Sequence, residues 1–380
     1  MLRVSRYMQE LVRPTPTGPR RAPPGPVVIW NLVRRCNLTC LHCYAISADI
    51  DFPGELGTVE IFRVLDDLKA AGVPALILSG GEPLLRKNLF DIAARAKALG
   101  FYTALSTNGT LIDLPLAGRI AAARFDYVGI SLDGLRATHD RIRRKEGAFE
   151  KSLNAMRLCR DMGVKVGMRF TLTQGNAAEL PALLDLAEDE RIDKFYLSHL
   201  NYAGRGNTNR KQDAGLRTSR AAVDLLFERA LGYARRGLHK EIVTGNNDAD
   251  GVYLLQWARK HVADLDEKHL RAKLVEWGGN SSGVNVANID NLGNVHPDTM
   301  WWDCTLGNVR TRAFGDIWRD TRHPIMAGLK ARPRQIKGRC GACAYFDVCG
   351  GNTRVRAMKV SGDPWAEDPA CYLDDAEIAS

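Results

Sequence analysis

The chain has 380 residues, 45% of them apolar and 26% charged, which excludes a disordered or low-complexity polymer and suits one large domain plus a smaller one. Apolar runs such as Ala75–Leu78 and Pro26–Trp30 are far too short to cross a bilayer, and Met1–Gln9 has no apolar signal core, so a cytoplasmic protein with no membrane partner is expected. The 53 basic and 44 acidic residues leave a charge of +9, which favours anionic ligands; Arg and Lys are spread along the chain, so nucleic acid is not expected as a partner.

Residues 1–26 form a lead-in that is rich in proline from Pro14 to Pro26. Short runs rich in Val, Ile, Phe and Tyr then predict buried parallel strands at Val27–Val33, Ala75–Ser79, Phe101–Ser106, Asp126–Leu132, Val164–Thr171 and Lys194–His199. Helices are predicted between them. Thr58–Ala71 places Ile61, Phe62, Leu65 and Leu68 on one face, Asn88–Leu99 does so with Leu89, Ile92, Ala96 and Leu99, and Phe149–Met162 with Phe149, Leu153 and Met156. Each ends at a glycine suited to a left-handed cap. Six strand–helix units predict an α/β fold over residues 27–215, a partial (β/α)6 TIM-type barrel, with a doubly wound open sheet as the alternative.

From Gly204 the rhythm changes: Gly204–Gly215 reads as a loop and Arg217–Arg236 as a helix, and 216–283 as a largely helical connection that ends in the Gly-rich run 278–283. Residues 284–380 form a small cysteine-rich domain, with a hairpin from Val284–Ile289 and Asn291–Val295. So small a core needs a metal staple.

Nine cysteines, an odd number without a secretion signal, argue for thiolate ligation of metal rather than for disulfides. Cys36, Cys40 and Cys43 follow the first strand, at the barrel edge where active sites sit. Three thiolates can hold three irons of a 4Fe–4S cube and leave the fourth open to an outside ligand. A structural zinc knot with His42 as fourth ligand is the alternative. Gly80-Gly81-Glu82-Pro83 follows the second strand: paired glycines let backbone approach a ligand, and Glu82 can accept from an ammonium group. Asn108-Gly109 and Ser131-Leu132-Asp133-Gly134 follow the third and fourth strands, and both pairs are also strong turn formers.

Together, the trio and the Gly-Gly-Glu-Pro segment resemble the radical S-adenosylmethionine superfamily. The resemblance implies a cluster on Cys36, Cys40 and Cys43, the methionine amino group held at Gly80, Gly81 and Glu82, and further cofactor contacts from Asn108, Ser131 and Arg143. Cys340-Gly-Ala-Cys343, Cys349 and Cys371 resemble the SPASM-type extension, which implies a second, auxiliary 4Fe–4S cluster; zinc is the alternative for these four thiols taken alone. The match departs at Asn352 and Thr353, where the usual extension has another cysteine, and upstream, where only Cys304 is present. One auxiliary cluster is therefore expected, with Cys304 and Cys159 packed as core residues.

The resemblance narrows over the whole chain to the NirJ family, radical enzymes of haem d1 biosynthesis, on the opening Met1–Met8, Val28-Ile29-Trp30-Asn31-Leu32, His199–Gly206 and Cys349–Arg354. It implies an anionic tetrapyrrole substrate, 12,18-didecarboxysirohaem, that loses two propionate side chains by 5′-deoxyadenosyl radical chemistry. It also implies a reducing electron donor such as a flavodoxin or ferredoxin. A basic protein with many arginines suits a multi-carboxylate ligand. His199 and His296 are candidates to ligate the substrate iron and Arg205 to clamp a carboxylate, although such His and Arg residues are commonly structural. The competing readings are a SPASM-type peptide maturase, an iron-porphyrin decarboxylase of alternative haem synthesis, and a non-catalytic metal scaffold.

Overall fold

A computed structural model describes residues 1–13 and 25–379, so most of the Pro-rich lead-in lies outside the described residues. All six apolar runs are strands: β1 (Val27–Asn31), β2 (Ala75–Ser79), β3 (Tyr102–Thr107), β4 (Tyr127–Ser131), β5 (Val166–Leu172) and β6 (Lys194–His199). Each lies parallel to the next in chain order. A doubly wound sheet reverses its order at a switch point. This one does not, so its right-handed crossovers keep the helices on one side, as in a partial barrel.

Side chains alternate across each strand. Val28, Trp30, Leu76 and Leu78 are fully buried and join Ile61, Val64, Leu65 and Leu68 of helix Thr58–Ala70 in the main core. The alternate set, Asn31, Ser79, Ser131, Arg169, Tyr196 and Ser198, gives the other face a polar layer towards the strands' C-terminal ends. Glycines make room there: a Cβ on Gly129 would lie 2.8 Å from Arg169 Cδ, and one on Gly167 2.1 Å from the Tyr127 hydroxyl.

The structure differs from the sequence expectation at both ends of the sheet. Between the helices Gly215–Arg235 and Ala249–His261 lies β7 (Glu241–Gly245), which extends the parallel array beyond β6 within the stretch expected to be helical. Its signal is five residues long and sits between two long helical patterns. At the other end β8 (Val286–Ile289) pairs in parallel with β1, and β9 (Asn294–His296) and β10 (Gly307–Asn308) follow antiparallel. The C-terminal hairpin is thus continuous with the barrel sheet. Gly204–Gly215, expected as a loop, opens with the short helix Gly204–Thr208. In the lead-in, helix Val4–Val12 buries Val4 and Met8, while Leu2 exchanges backbone hydrogen bonds with Thr244 of β7 at 2.8 and 2.9 Å. That covers an otherwise open edge. Among the described residues no helix is long and apolar enough to cross a membrane.

One buried ion pair ties the C-terminal region to the barrel. Arg356 and Asp368, neither of them exposed, are 2.8 Å apart; Arg356 also donates to the carbonyls of Leu200, after β6, and Asn246, after β7, both at 2.8 Å. Arg356→Met leaves Asp368 buried without its partner and should cost about 3–5 kcal/mol, read as a lower midpoint in anaerobic denaturant unfolding.

Candidate functional site

The loop after β1 is pinned from several sides. Gly81 N donates to Val33 O (2.6 Å) and Glu82 N to Arg35 O (2.9 Å), so the end of β2 lies flat against the start of the loop. A Cβ on Gly81 would stand 2.3 Å from Arg35 O and 2.4 Å from Arg34 O. No larger residue fits.

Glu82, with no exposed surface, accepts from Leu84 N (3.1 Å), Thr107 Oγ1 (2.7 Å) and Asn108 N (2.8 Å). A carboxylate has about four acceptor sites, so room for one further donor remains. Burial raises its pKa against the pull of these hydrogen bonds. Its evident task is to clamp the ends of β2 and β3 together.

Cys36, Leu38 and Cys40 form a small buried cluster with Cys43 against it, so the three thiols are brought together. Asn108 Nδ2 donates to Asn37 Oδ1 (2.9 Å) and lies 3.8 Å from Cys36 Sγ, while its Oδ1 accepts from Thr110 N and Oγ1. Asn108, expected as a cofactor contact, organises the loop through these bonds. Burial, with Glu82 adding to it, pushes the Cys36 thiol up to about 12; burial also raises Cys40, against the nearby Arg143 guanidinium. Such thiols keep their protons until a metal displaces them.

Beside Cys40 lies a buried charged network. Asp133 Oδ2 is 2.8 Å from His42 Nε2 and 2.5 Å from Arg143 Nη2, and Arg143 Nη1 is 3.5 Å from Cys40 Sγ. Despite burial, Arg143 and His42 hold the Asp133 carboxyl well below its usual range. His42 thus presents its Nε2 to Asp133. Ser131 ends β4 opposite Arg169, half-buried and without a hydrogen-bond partner among the described residues. A cavity of ≈ 240 Å³, solvent at its mouth included, adjoins His42 and Leu41 and is closed by Thr173, Leu200 and Asn209.

Two functional-looking residues escaped the sequence reading. The guanidinium of Arg169, on the polar face of β5, makes no ion pair or hydrogen bond among the described residues, and its carbon stands 5.1 Å from the Tyr196 ring centroid. It is poised for an incoming carboxylate. Tyr44, next to Cys43, accepts from Asn31 Nδ2 at 2.8 Å and packs edge-on to Trp302, at 6.1 Å between centroids. The signals were the Arg in an otherwise apolar strand and the aromatic beside the last cysteine.

The three expected substrate residues have other tasks here. His199 is buried with Nε2 3.1 Å from Asp250 Oδ2. His296 is buried too; Nδ1 meets Cys304 O (2.9 Å), Nε2 lies 3.4 Å from Asp290 Oδ2, and its ring is parallel to Trp302. Arg205 donates to Cys40 O (2.7 Å) and Ser47 O (3.0 Å) and so braces the cysteine loop rather than reaching outward.

Cys340, Cys343, Cys349 and Cys371 line one cavity of ≈ 440 Å³, mouth included, together with Arg339, Asn352, Glu367 and Asp368. A single zinc draws four sulfurs to about 4 Å from one another, given Zn–S bonds of about 2.3 Å. Among the described residues no group of three or more His, Cys, Asp or Glu side chains is placed to hold a metal ion, at this set or at Cys36, Cys40 and Cys43. Asn352 accepts from Asp248 N (2.7 Å) and donates to Asn247 Oδ1 (2.7 Å), so the position that usually carries a cysteine ties this region to the loop after β7. Cys159 and Cys304 are buried in the main core.

His139 accepts from Asp133 N through Nδ1 at 2.9 Å, and burial, with Arg143 nearby, holds its pKa down to about 4 from 6.5. Between those values the unfolded chain binds a proton that the folded one refuses, so stability falls as pH drops through this window. His139→Gln should flatten that acid limb by up to about 3 kcal/mol, measured by unfolding at pH 7, 5.5 and 4.

Comparison with known proteins identifies the family. The Radical SAM superfamily profile matches residues 30–187. The chain is 56% identical to the pre-heme d1 synthase of Dinoroseobacter shibae, over 100% of this chain and 94% of that protein. It is 44% identical to the Fe-coproporphyrin III synthase of Methanosarcina barkeri, over 93% and 89%. Among solved structures, SuiB of Streptococcus suis bound to S-adenosylmethionine superposes with a TM-score of 0.72 at 18% identity, over 92% of this chain and 78% of that one, which shows a shared fold. The chain belongs to the radical S-adenosylmethionine superfamily, in the branch that contains pre-heme d1 synthase.

Proposed function

We propose that the protein is a radical S-adenosylmethionine enzyme of haem d1 biosynthesis that removes two propionate side chains from 12,18-didecarboxysirohaem. The observation that carries this reading is the 56% identity to a pre-heme d1 synthase over the entire chain. In this reading Cys36, Cys40 and Cys43 hold a 4Fe–4S cluster, and the four C-terminal cysteines an auxiliary one. When bound, the first cluster supplies the electron that splits S-adenosylmethionine into methionine and a 5′-deoxyadenosyl radical.

The protein's own part is binding, orientation and exclusion of water. The seam of Gly80 and Gly81 sets the height of the cysteine loop, and the polar layer of Ser131 and Arg169 offers a donor set for carboxylates. Arg169 has no competing acid, so its guanidinium keeps its full capacity for a carboxylate of cofactor or substrate. Tyr44 and Trp302 wall the cysteine side of that layer with apolar surface. A reduced one-electron carrier is the expected partner.

A second reading is favoured by the 44% identity to an Fe-coproporphyrin III synthase: the same chemistry on the same class of ring, ending at an iron porphyrin. Anaerobic reconstitution with iron and sulfide, dithionite reduction and product analysis with 12,18-didecarboxysirohaem against iron coproporphyrin separate the two. Cys40→Ala should abolish 5′-deoxyadenosine formation, whereas Cys343→Ala should keep some cleavage and lose the tetrapyrrole product. Undiminished cleavage by the Cys40 variant contradicts the assignment.

A further inference from the structure

Asp133 follows β4 with no exposed surface, and its polar atoms are all engaged. Oδ1 accepts from Thr171 N (2.8 Å), the carbonyl from Asn176 Nδ2 (2.9 Å), and the amide donates to His139 Nδ1 (2.9 Å). Thr171 lies on β5 and Asn176 beyond it, so the carboxylate is anchored from the neighbouring strand. Oδ2 alone faces the cysteine loop, and it takes two partners, His42 Nε2 (2.8 Å) and Arg143 Nη2 (2.5 Å).

The consequence falls on Arg143. A guanidinium is planar and rigid, so a carboxylate that grips one terminal nitrogen aims the other. The other one, Nη1, stands 3.5 Å from Cys40 Sγ, and the buried Nε has no hydrogen-bond partner among the described residues. Among the described residues, Asp133 and the Cys40 sulfur are the polar groups in contact with this guanidinium.

We propose that Asp133 is a positioning residue that holds the Arg143 guanidinium on the Cys40 sulfur and thereby sets the reduction potential of a cluster bound there. The proposal rests on reading Cys36, Cys40 and Cys43 as cluster ligands. A positive charge beside a ligand sulfur stabilises the form that carries one more electron and raises the midpoint potential; a buried carboxylate does the opposite. The two roles open to Asp133 therefore have opposite signs. As a bare charge, its neutralisation raises the potential. As a clamp, its neutralisation releases Arg143 and lowers it.

Asp133→Asn separates them. The amide oxygen still accepts from Thr171 N, and the amide NH2 then faces the Arg143 guanidinium, a donor against a donor. The measurement is potentiometry of the anaerobically reconstituted full chain, following the electron paramagnetic resonance signal that changes when S-adenosylmethionine is added. The expected result is a more negative midpoint, by at least about a tenfold shift in the oxidised-to-reduced ratio, or about 59 mV for one electron. An unchanged or more positive midpoint overturns the proposal.

Arg143→Lys covers the case in which Asp133→Asn does not fold. It keeps both the charge and an acidic partner, yet a single ammonium lacks the fork that spans carboxylate and sulfur. A lower midpoint in Arg143→Lys supports the clamp; an unchanged one overturns it. A wild-type chain with no iron–sulfur signal sensitive to S-adenosylmethionine defeats the underlying reading, whatever the variants do.

Discussion

Everything at the upper edge of this barrel depends on a backbone-to-backbone seam. Gly80 and Gly81 bring the end of β2 so close to residues 33–35 that a single methyl group on Gly81 would overlap two carbonyl oxygens. The seam is fastened by Gly81 N to Val33 O and Glu82 N to Arg35 O. Those two bonds set the height and direction of the loop that carries Cys36, Cys40 and Cys43. Glycine is required here for close approach, not for flexibility.

Around that seam the fold buries charge only in pairs or beside donors. Glu82 clamps β2 to β3, and Asp133 joins β4 and β5 to Arg143 and His42. Arg205 reaches in from behind β6 to hold Cys40 O and Ser47 O. The segments after β2, β3, β4 and β6 therefore each contribute a polar side chain that supports the loop, Glu82, Asn108, Asp133 and Arg205, and the cost of burying it is offset by hydrogen bonds. The C-terminal thiols are tied to the same frame through Arg356 and Asp368 and through the Asn352 contacts. Both thiol sets thus share one rigid scaffold.

Much of this was legible in the sequence. The six strands were visible because buried parallel strands read as apolar runs between amphipathic helices. The cysteine loop and the Gly-Gly-Glu-Pro segment were visible because their chemistry needs fixed spacing. β7 escaped because a five-residue strand between long helices has too little pattern to stand out. The roles of Arg205, His199 and His296 escaped for a different reason. Their partners, Cys40 O, Asp250 and Asp290, are set by tertiary packing, and two of these lie 165 and 51 residues away along the chain. Asn108 and Arg143 were found as residues near the site, but only the fold gives them the sulfurs of Cys36 and Cys40 as neighbours. Arg169 is the converse: a strand arginine that the pattern reading passes over and that the glycine at position 129 accommodates.

The central claim is that three thiols hold an iron–sulfur cube with one iron left for an outside ligand. The most direct measurement is electron–nuclear double resonance on the reduced, anaerobically reconstituted chain with S-adenosylmethionine carrying a 15N-labelled amino group. The account predicts a hyperfine coupling from that nitrogen, lost when Cys40 is replaced by alanine. A site that holds only zinc, or a cluster spectrum indifferent to the labelled cofactor, would contradict it.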